Sequence, residues 1–473
     1  MRLETTGAPR RGADWVCDEI AGSGKGKRGL AQWRALFAFL AAALIGTACA
    51  GPAQAIPAFA RQTGQECSAC HTTIPQLTDF GRQFKMNGYT MVVNPKVMNR
   101  FTALFIGGFT HTATAQDQPP LTNSDKTNNL LSLDQVSLLF GGKIANDLGA
   151  FAQVTYDPNG KVLSWDNLDV RYARSGKLFG ADATYGLSLN NNPTVQDVWA
   201  TAPAWGFPAF DSAAGPQFSP PTTLLQGTLA QQVLGLTGYA MFNGRLYAEF
   251  GAYGGLPEKT ASMLGVGGSG FKVTGAAPYG RIAYTTALDK KNSIMVGALA
   301  MAADLAPTDP TAEGKDRYVD FGLDSQYDYA GDGYGLTFTA RDIYEWQTSS
   351  GASPESGAAN PQNHLNAIDL TATYSRAVWA VTGALSNVTG STDSGLYGSN
   401  SATNSPNSTA VSLEFDYSPW MDGGPSWDPH GNVKFGAKYT HYLKLYGGTT
   451  DFDGSGHNAS GNDMLYLYTV LAF

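Results

Sequence analysis

Two of the four cysteines in the 473-residue chain stand in the run Cys67-Ser68-Ala69-Cys70-His71. Cys-x-x-Cys-His is the attachment pattern of c-type haem. Thiols three residues apart can each close a thioether bond to one vinyl group of the same porphyrin. The next residue, His71, then lies under the ring and can ligate iron as the proximal ligand. A redox-active pair would need a thioredoxin-like βαβ surround, and none is visible. A zinc site would need more Cys or His nearby, and the next histidine is His111. The expected cofactor is one haem c, held by Cys67, Cys70 and His71.

The sixth iron position stays open in the sequence. Met86, Met91 and Met98 follow within thirty residues, and His111, His364, His430, His441 and His457 come later. A thioether ligand would raise the potential. Met86 is the first candidate and Met91 the second.

The segment that carries these residues must be exported and supported. Residues 1–34 are polar and basic, and Ala35–Ile45 is an apolar run of eleven. That length suits a signal peptide and is too short to span a bilayer. Ala53-Gln54-Ala55 offers a cleavage site, so residues 1–55 are expected to be removed and the mature chain to start at Ile56. Cys17 and Cys49 leave with them. The mature chain keeps 24 basic and 35 acidic residues, a net charge of −11. That balance speaks against nucleic acid as a partner.

Only 15% of residues are charged and 43% are hydrophobic, with 56 Gly, 22 Tyr and 23 Phe. From residue 98 onward the chain reads as short segments of alternating polarity separated by Gly, Asn, Asp and Pro. That pattern predicts an all-β fold, a transmembrane barrel in contact with outer-membrane lipid. Sixteen segments are legible, near 98–110, 131–142, 147–156, 164–174, 180–190, 230–240, 244–254, 277–287, 291–303, 317–329, 333–346, 364–374, 377–388, 408–417, 432–446 and 462–473. Leu168, Val170 and Tyr172 share one face, opposite Asn167, Asp169 and Arg171. Phe250 stands opposite Arg245 and Glu249, and Phe321 and Leu323 opposite Asp320 and Asp324. A soluble sandwich would turn the apolar face inward, whereas a barrel in lipid turns it outward. Export, tight turns such as Phe242-Asn243-Gly244, and a final strand ending on Phe473 favour the barrel.

Residues 56–97 are too few to bury a core of their own. A haem-bearing plug in or under the barrel mouth, with residues 98–473 as the barrel, is the expected arrangement. The aromatic-rich segment 190–221 reads equally as a folded-in constriction or as a membrane-interface anchor.

The stretches Ile56–Gly64, Cys67–His71, Phe80-Gly81-Arg82-Gln83-Phe84-Lys85 and Gly88-Tyr89 resemble the fused monohaem cytochrome–porins. Asn190–Trp199 is similar to their porin part. The best-known members of that family are outer-membrane iron oxidases. The resemblance implies that extracellular Fe(II) donates an electron to the haem and a periplasmic c-type cytochrome takes it away. Lumenal Asp169, Glu249, Asp320, Asp324, Asp369, Glu414 and Asp416 could attract Fe(II), although Arg171, Arg245, Arg341, Lys434 and Lys438 share the lumen. A porin-type solute transporter with a structural or gating haem plug is the alternative. A haem peroxidase would need a positioned acid/base, and the sequence near Cys67–His71 offers no distal histidine at readable spacing.

Overall fold

A computed structural model describes residues 57–94, 96–116, 127–158, 161–202, 204–266, 271–307, 314–350 and 356–473. The expected signal peptide and the residue Ile56 lie outside the described residues.

Alternation of period two dictates strands, and sixteen form. They are β1 (Phe101–Gln116), β2 (Thr127–Ala145), β3 (Leu148–Asp157), β4 (Val162–Leu178), β5 (Ala181–Asn190), β6 (Val233–Phe242), β7 (Leu246–Gly255), β8 (Phe271–Thr274 with Ala277–Ala287), β9 (Asn292–Pro307), β10 (Asp316–Ala330), β11 (Gly335–Thr348), β12 (Gln362–Arg376), β13 (Trp379–Gly390), β14 (Ser408–Tyr417), β15 (Asn432–Lys444) and β16 (Met464–Ala472). The two halves of β8 both pair with β9, offset by two residues, and so occupy one place in the sheet. Each strand runs antiparallel to the next, and β16 pairs with β1 to close the barrel. All sixteen predicted segments are strands. Several run longer than alternation showed: β1 continues to Gln116 and β4 to Leu178.

The polarity of the wall is inverted relative to a soluble protein. On β4 Asp169 and Arg171 are 1% and 0% exposed, while Tyr172 between inward neighbours is 40% exposed. On β7 Glu249 is fully buried and Phe250 is 58% exposed. Leu323, Leu413 and Tyr439 likewise face out beside buried Asp324, Glu414 and Lys438. Only lipid makes an outward row of Leu, Phe and Tyr stable, because each such side chain gains about 1.5–3 kcal/mol on leaving water. Trp379 stacks on Tyr417 at 4.0 Å at one rim, as an aromatic interface girdle does. The chain is a membrane-spanning barrel of the outer-membrane type.

One end carries short connections: 146–147, 179–180, 243–245, 288–291, 331–334 and 377–378. In outer-membrane barrels that end faces the periplasm. Two connections break the alternation of lengths. Residues 158–161 are short at the long-loop end, and residues 418–431 are long at the short-turn end. His430 therefore sits at the short-turn end, and Arg245 is exposed in the β6–β7 turn, not in the lumen. The loops 391–407 and 445–463 are folded. Tyr397, Leu445, Tyr446 and Phe452 form an apolar cluster with Leu365 and Val388 of the wall.

Asp393 ties two of these loops together. Its carboxylate accepts from the backbone N–H groups of Ala359, Asn360, Gly395 and Leu396 and from the Asn363 amide, all at 2.8–3.0 Å. Burial alone would raise its pKa, but these donors outweigh burial and hold it at about 2. A carboxylate depressed on folding contributes stability above its ordinary pKa and loses it as pH falls through the folded value. The tie is therefore expected to hold at pH 4 and to open toward about pH 2. Cleavage of the 349–361 and 391–407 loops by an acid-active protease should rise over that range, and Asp393→Ala should show the rise already at pH 4.

Residues 57–100 enter the lumen at the short-turn end. They form α1 (Pro57–Thr63), the one-turn α2 (Cys67–Cys70), a hairpin of His71–Thr73 with Gln76–Leu77, and α3 (Asp79–Met86). The connection 191–232 also folds inward, with Asn191, Val195, Asp197, Val198 and Trp199 buried. Of the two readings of this segment, the folded-in constriction is the one observed.

Candidate functional site

The local fold of the motif follows from two small devices. Thr78 caps α3 by accepting from Gly81 N at 3.2 Å, and its hydroxyl donates to Ala69 O at 2.6 Å. Thr78 N also donates to Cys70 O at 2.9 Å. The cap thereby ties α3 to the end of α2. Gly81 makes that closeness possible, since a Cβ there would stand 2.3 Å from Cys70 O. Gly81→Ala is expected to loosen the segment by about 1–3 kcal/mol, an overpacking cost. Faster proteolysis within residues 57–100 would report it. Gly383→Ala, where a Cβ meets nothing within 4 Å, should leave the rate unchanged.

Cys67 and Cys70 are free and buried. Burial pushes the Cys70 thiol up to about 11 and raises Cys67 further. Such thiols are not poised as thiolates, which argues against a redox pair. The Asn432 amide donates to Cys67 Sγ at 3.0 Å, and the connection 418–431 covers the turn, with Ser68 N donating to Met421 O. Among the described residues no group of three or more His, Cys, Asp or Glu is arranged to hold a metal ion.

His71 Nδ1 lies 3.2 Å from Pro75 O. That contact puts the ring proton on Nδ1 and leaves the Nε2 lone pair for a metal. Burial brings the imidazole's pKa down to about 4, so the ring is neutral at physiological pH.

Cys70 and His71 border a lumenal cavity of ≈ 340 Å³. Phe59, Phe84 and Tyr89 of the segment wall one side, and Trp205 and Phe210 of the inward connection cover it. Leu104, Ile106, Leu139, Phe151, Val470 and Ala472, from the adjacent strands β16, β1, β2 and β3, form the barrel wall. Lys85, Asp166, Asp197 and Lys434 also border the cavity, and the inner wall beyond is charged, with Asp169, Arg171, Glu249, Arg281, Asp320 and Lys438 all buried. A largely apolar cavity in such a lumen fits a flat apolar ligand, and Cys70 with a metal-ready imidazole fits an attached porphyrin, while Cys67 is buried beside Ala60 and Met421 and does not border the cavity.

The predicted sixth ligands are placed elsewhere. Met86 packs with Val198, Trp199, Tyr239 and Met241, and its carbonyl accepts from Tyr239 Oη at 2.6 Å. Met91 is exposed. Neither borders the cavity, and neither does any of the five later histidines.

The lumenal acids are struts. Asp169 accepts from Tyr89 Oη at 2.6 Å and pairs with Arg171 at 2.8 Å. Asp416 and Glu414 pair with Lys434, which donates to Ile74 O. Asp320 and Glu345 accept from Leu225 N and Leu224 N of the inward connection. Asp324 pairs with Arg281, which also meets Asp197 at 3.3 Å. Asp369 pairs with Arg341, and Glu249 accepts from Thr237 and Tyr247.

Sequence patterning missed the apolar wall. The signal for the wall was present as a lapse in alternation. Ala103-Leu104-Phe105-Ile106, Leu138-Leu139-Phe140 and Val470-Leu471-Ala472-Phe473 are apolar on both faces.

No protein-family model matches the chain, and no curated protein is significantly similar to it in sequence. Solved structures similar to it include the outer membrane channel DcaP of Acinetobacter baumannii, 12% identical, covering 79% of this chain and 96% of that one with a TM-score of 0.43. OmpF of Salmonella typhi in complex with daunomycin is 13% identical, covering 79% and 97%, with a TM-score of 0.42. An anion-selective porin from Comamonas acidovorans is 11% identical, covering 79% and 98%, with a TM-score of 0.41.

Proposed function

We propose that the chain is an outer-membrane electron carrier. It would hold one haem c in the barrel lumen and pass single electrons from a donor outside, Fe(II), to a periplasmic c-type cytochrome. The observation that carries the proposal is that Cys70 and His71 of the attachment motif open onto an apolar patch of an otherwise charged lumen. When bound, haem c supplies a one-electron iron couple.

The chain's own residues supply the setting. Cys67 and Cys70 provide the covalent anchors. The Pro75 carbonyl orients His71 and fixes its tautomer. Phe59, Phe84, Phe151 and Trp205 give the cavity an apolar lining. The motif lies at the short-turn end, beside the 418–431 connection with its exposed Trp427, which supports hand-over on the periplasmic side.

Fe(II) as donor rests on the family resemblance. The named lumenal acids are engaged by protein donors, so they support plug and loop before they support a metal. An outside donor would approach over the inward connection at Ala200–Phe210. The test is to mix the purified ferric protein in detergent with Fe(II) without oxygen and follow the haem bands. Fast, complete reduction, followed by reoxidation by a soluble periplasmic c-type cytochrome, is expected. Reduction by dithionite but none by Fe(II) would remove iron as the donor.

A solute-conducting porin gated by its N-terminal segment is the second reading. The inward connection 191–232, braced on the charged residues Arg281, Asp320, Asp324 and Glu345, favours it. Steady conductance of the full chain in a planar bilayer would support this reading.

A further inference from the structure

One buried cation has no carboxylate partner. Lys85 is buried, and its Nζ donates to Val195 O and Asp197 O at 2.7 Å each. It stands 5.4 Å from the centroid of the Trp205 ring. Among the described residues no acid lies within ion-pairing distance of it. The nearby Asp197 carboxylate is bound by Arg281 and by backbone N–H groups of Trp199, Thr201 and Ala202. Among the described residues the other buried cations, Arg82, Arg171, Arg281, Arg341, Lys434 and Lys438, each hold at least one acid. An unpaired charge held away from water is costly unless an anion joins it.

Lys85 also borders the cavity, on the helix face that brings Gly81 and Phe84 there. Positions i, i+3 and i+4 share one side of a helix. Gly81 touches Cys70, and Lys85 lies four residues on, roughly 6 Å along the axis, before its own stem extends further. Gln153 and Asn167 of the wall add amide groups to the same cavity, which Lys434 and the carboxylates Asp166 and Asp197 also border, Lys434 and Asp197 being already ion-paired.

We infer that Lys85 binds a carboxylate of the cavity's ligand, a propionate of the attached porphyrin, and so serves as the anchor for its acidic edge. This rests on the haem reading above. The lysine's role is positioning and electrostatic. It is not an iron ligand.

The experiment uses the full chain purified from outer membranes, as wild type, Lys85→Gln and Lys85→Arg. Haem content, the absorption spectrum and the midpoint potential are measured for each. Removing a positive charge beside the porphyrin favours the ferric state, so Lys85→Gln should keep covalent haem and an unchanged ligand-field spectrum while its potential falls. Lys85→Arg should restore most of the wild-type value. An unchanged potential in Lys85→Gln would overturn the inference. So would a changed ligand-field spectrum, because that would make Lys85 an iron ligand. If Lys85→Gln fails to fold, resonance Raman of the wild type decides. Propionate bending bands that shift between H2O and D2O support the anchor, and bands that do not shift overturn it. A colourless wild-type protein would refute the haem reading itself, which separates the two failures.

Discussion

Changing both Cys67 and Cys70 to alanine is expected to yield a folded barrel with no covalent haem. Each thiol can form one thioether bond, so either single variant should retain part of the attached pigment and the double variant none. The barrel itself does not depend on these residues. Its closure runs through the β16–β1 pairing, from Met464 opposite Thr112 to Ala472 opposite Leu104, with no contribution from residues 67–70. The double variant should therefore keep the heat-modifiable gel migration of a barrel. It should lose all haem stain after denaturation. The segment should also become easier to cleave, because its apolar faces, including Phe84 and Phe59, would line a water-filled space. Each such side chain left against water forgoes about 1.5–3 kcal/mol. Retention of covalent pigment in the double variant would contradict the assignment of the motif.

The second large effect concerns Arg171. It joins three parts of the molecule: the wall at Asp169, the lumenal segment through Tyr89, and the inward connection through Gln196. Its Nε donates to Asp169 at 2.8 Å and its Nη2 to Gln196 O at 2.6 Å, and it is fully buried. The same Asp169 oxygen accepts from Tyr89 Oη at 2.6 Å. The guanidinium also sits 5.1 Å from the Tyr239 ring centroid. Removing one partner of a buried ion pair costs about 3–5 kcal/mol, because the other charge is left uncompensated. Arg171→Ala should therefore raise local opening of residues 57–100 and 191–232 by roughly two to nearly four orders of magnitude. Hydrogen exchange should show that loss of protection in these segments while the strands keep theirs. Replacing Arg171 and Asp169 together by Met and Leu should cost much less than either alone, since no orphaned charge remains. Equal losses for the single and double changes would mean that the pair is not what holds the segment.

The barrel was legible because two solvents enforce its pattern. Lipid selects Val170 and Tyr172, and the packed polar lumen selects Asp169 and Arg171, so period two survives in nearly every strand. Strand ends were less legible, because His111 to Gln116 continue β1 without an apolar row. The attachment motif was legible because thioether chemistry demands Cys-x-x-Cys-His. The cavity around it was not, since Leu104, Leu139 and Phe151 come together only when β1, β2 and β3 pair. Met86 shows the limit of reading by proximity in sequence. It stands fifteen residues from His71, yet α3 turns it toward Trp199 while Gly81, Phe84 and Lys85 take the cavity face. The fate of the segment 190–221 likewise depended on distant charges, Arg281 and Arg341, that no local pattern connects to it.

The most direct test of the central claim is the pigment itself. The full chain should be expressed in a host with c-type haem maturation, isolated from the outer membrane, and assayed as a pyridine haemochrome against protein concentration. One haem per chain, still attached after denaturation, is the predicted result. A folded, heat-modifiable barrel that carries no covalent haem under those conditions would contradict it.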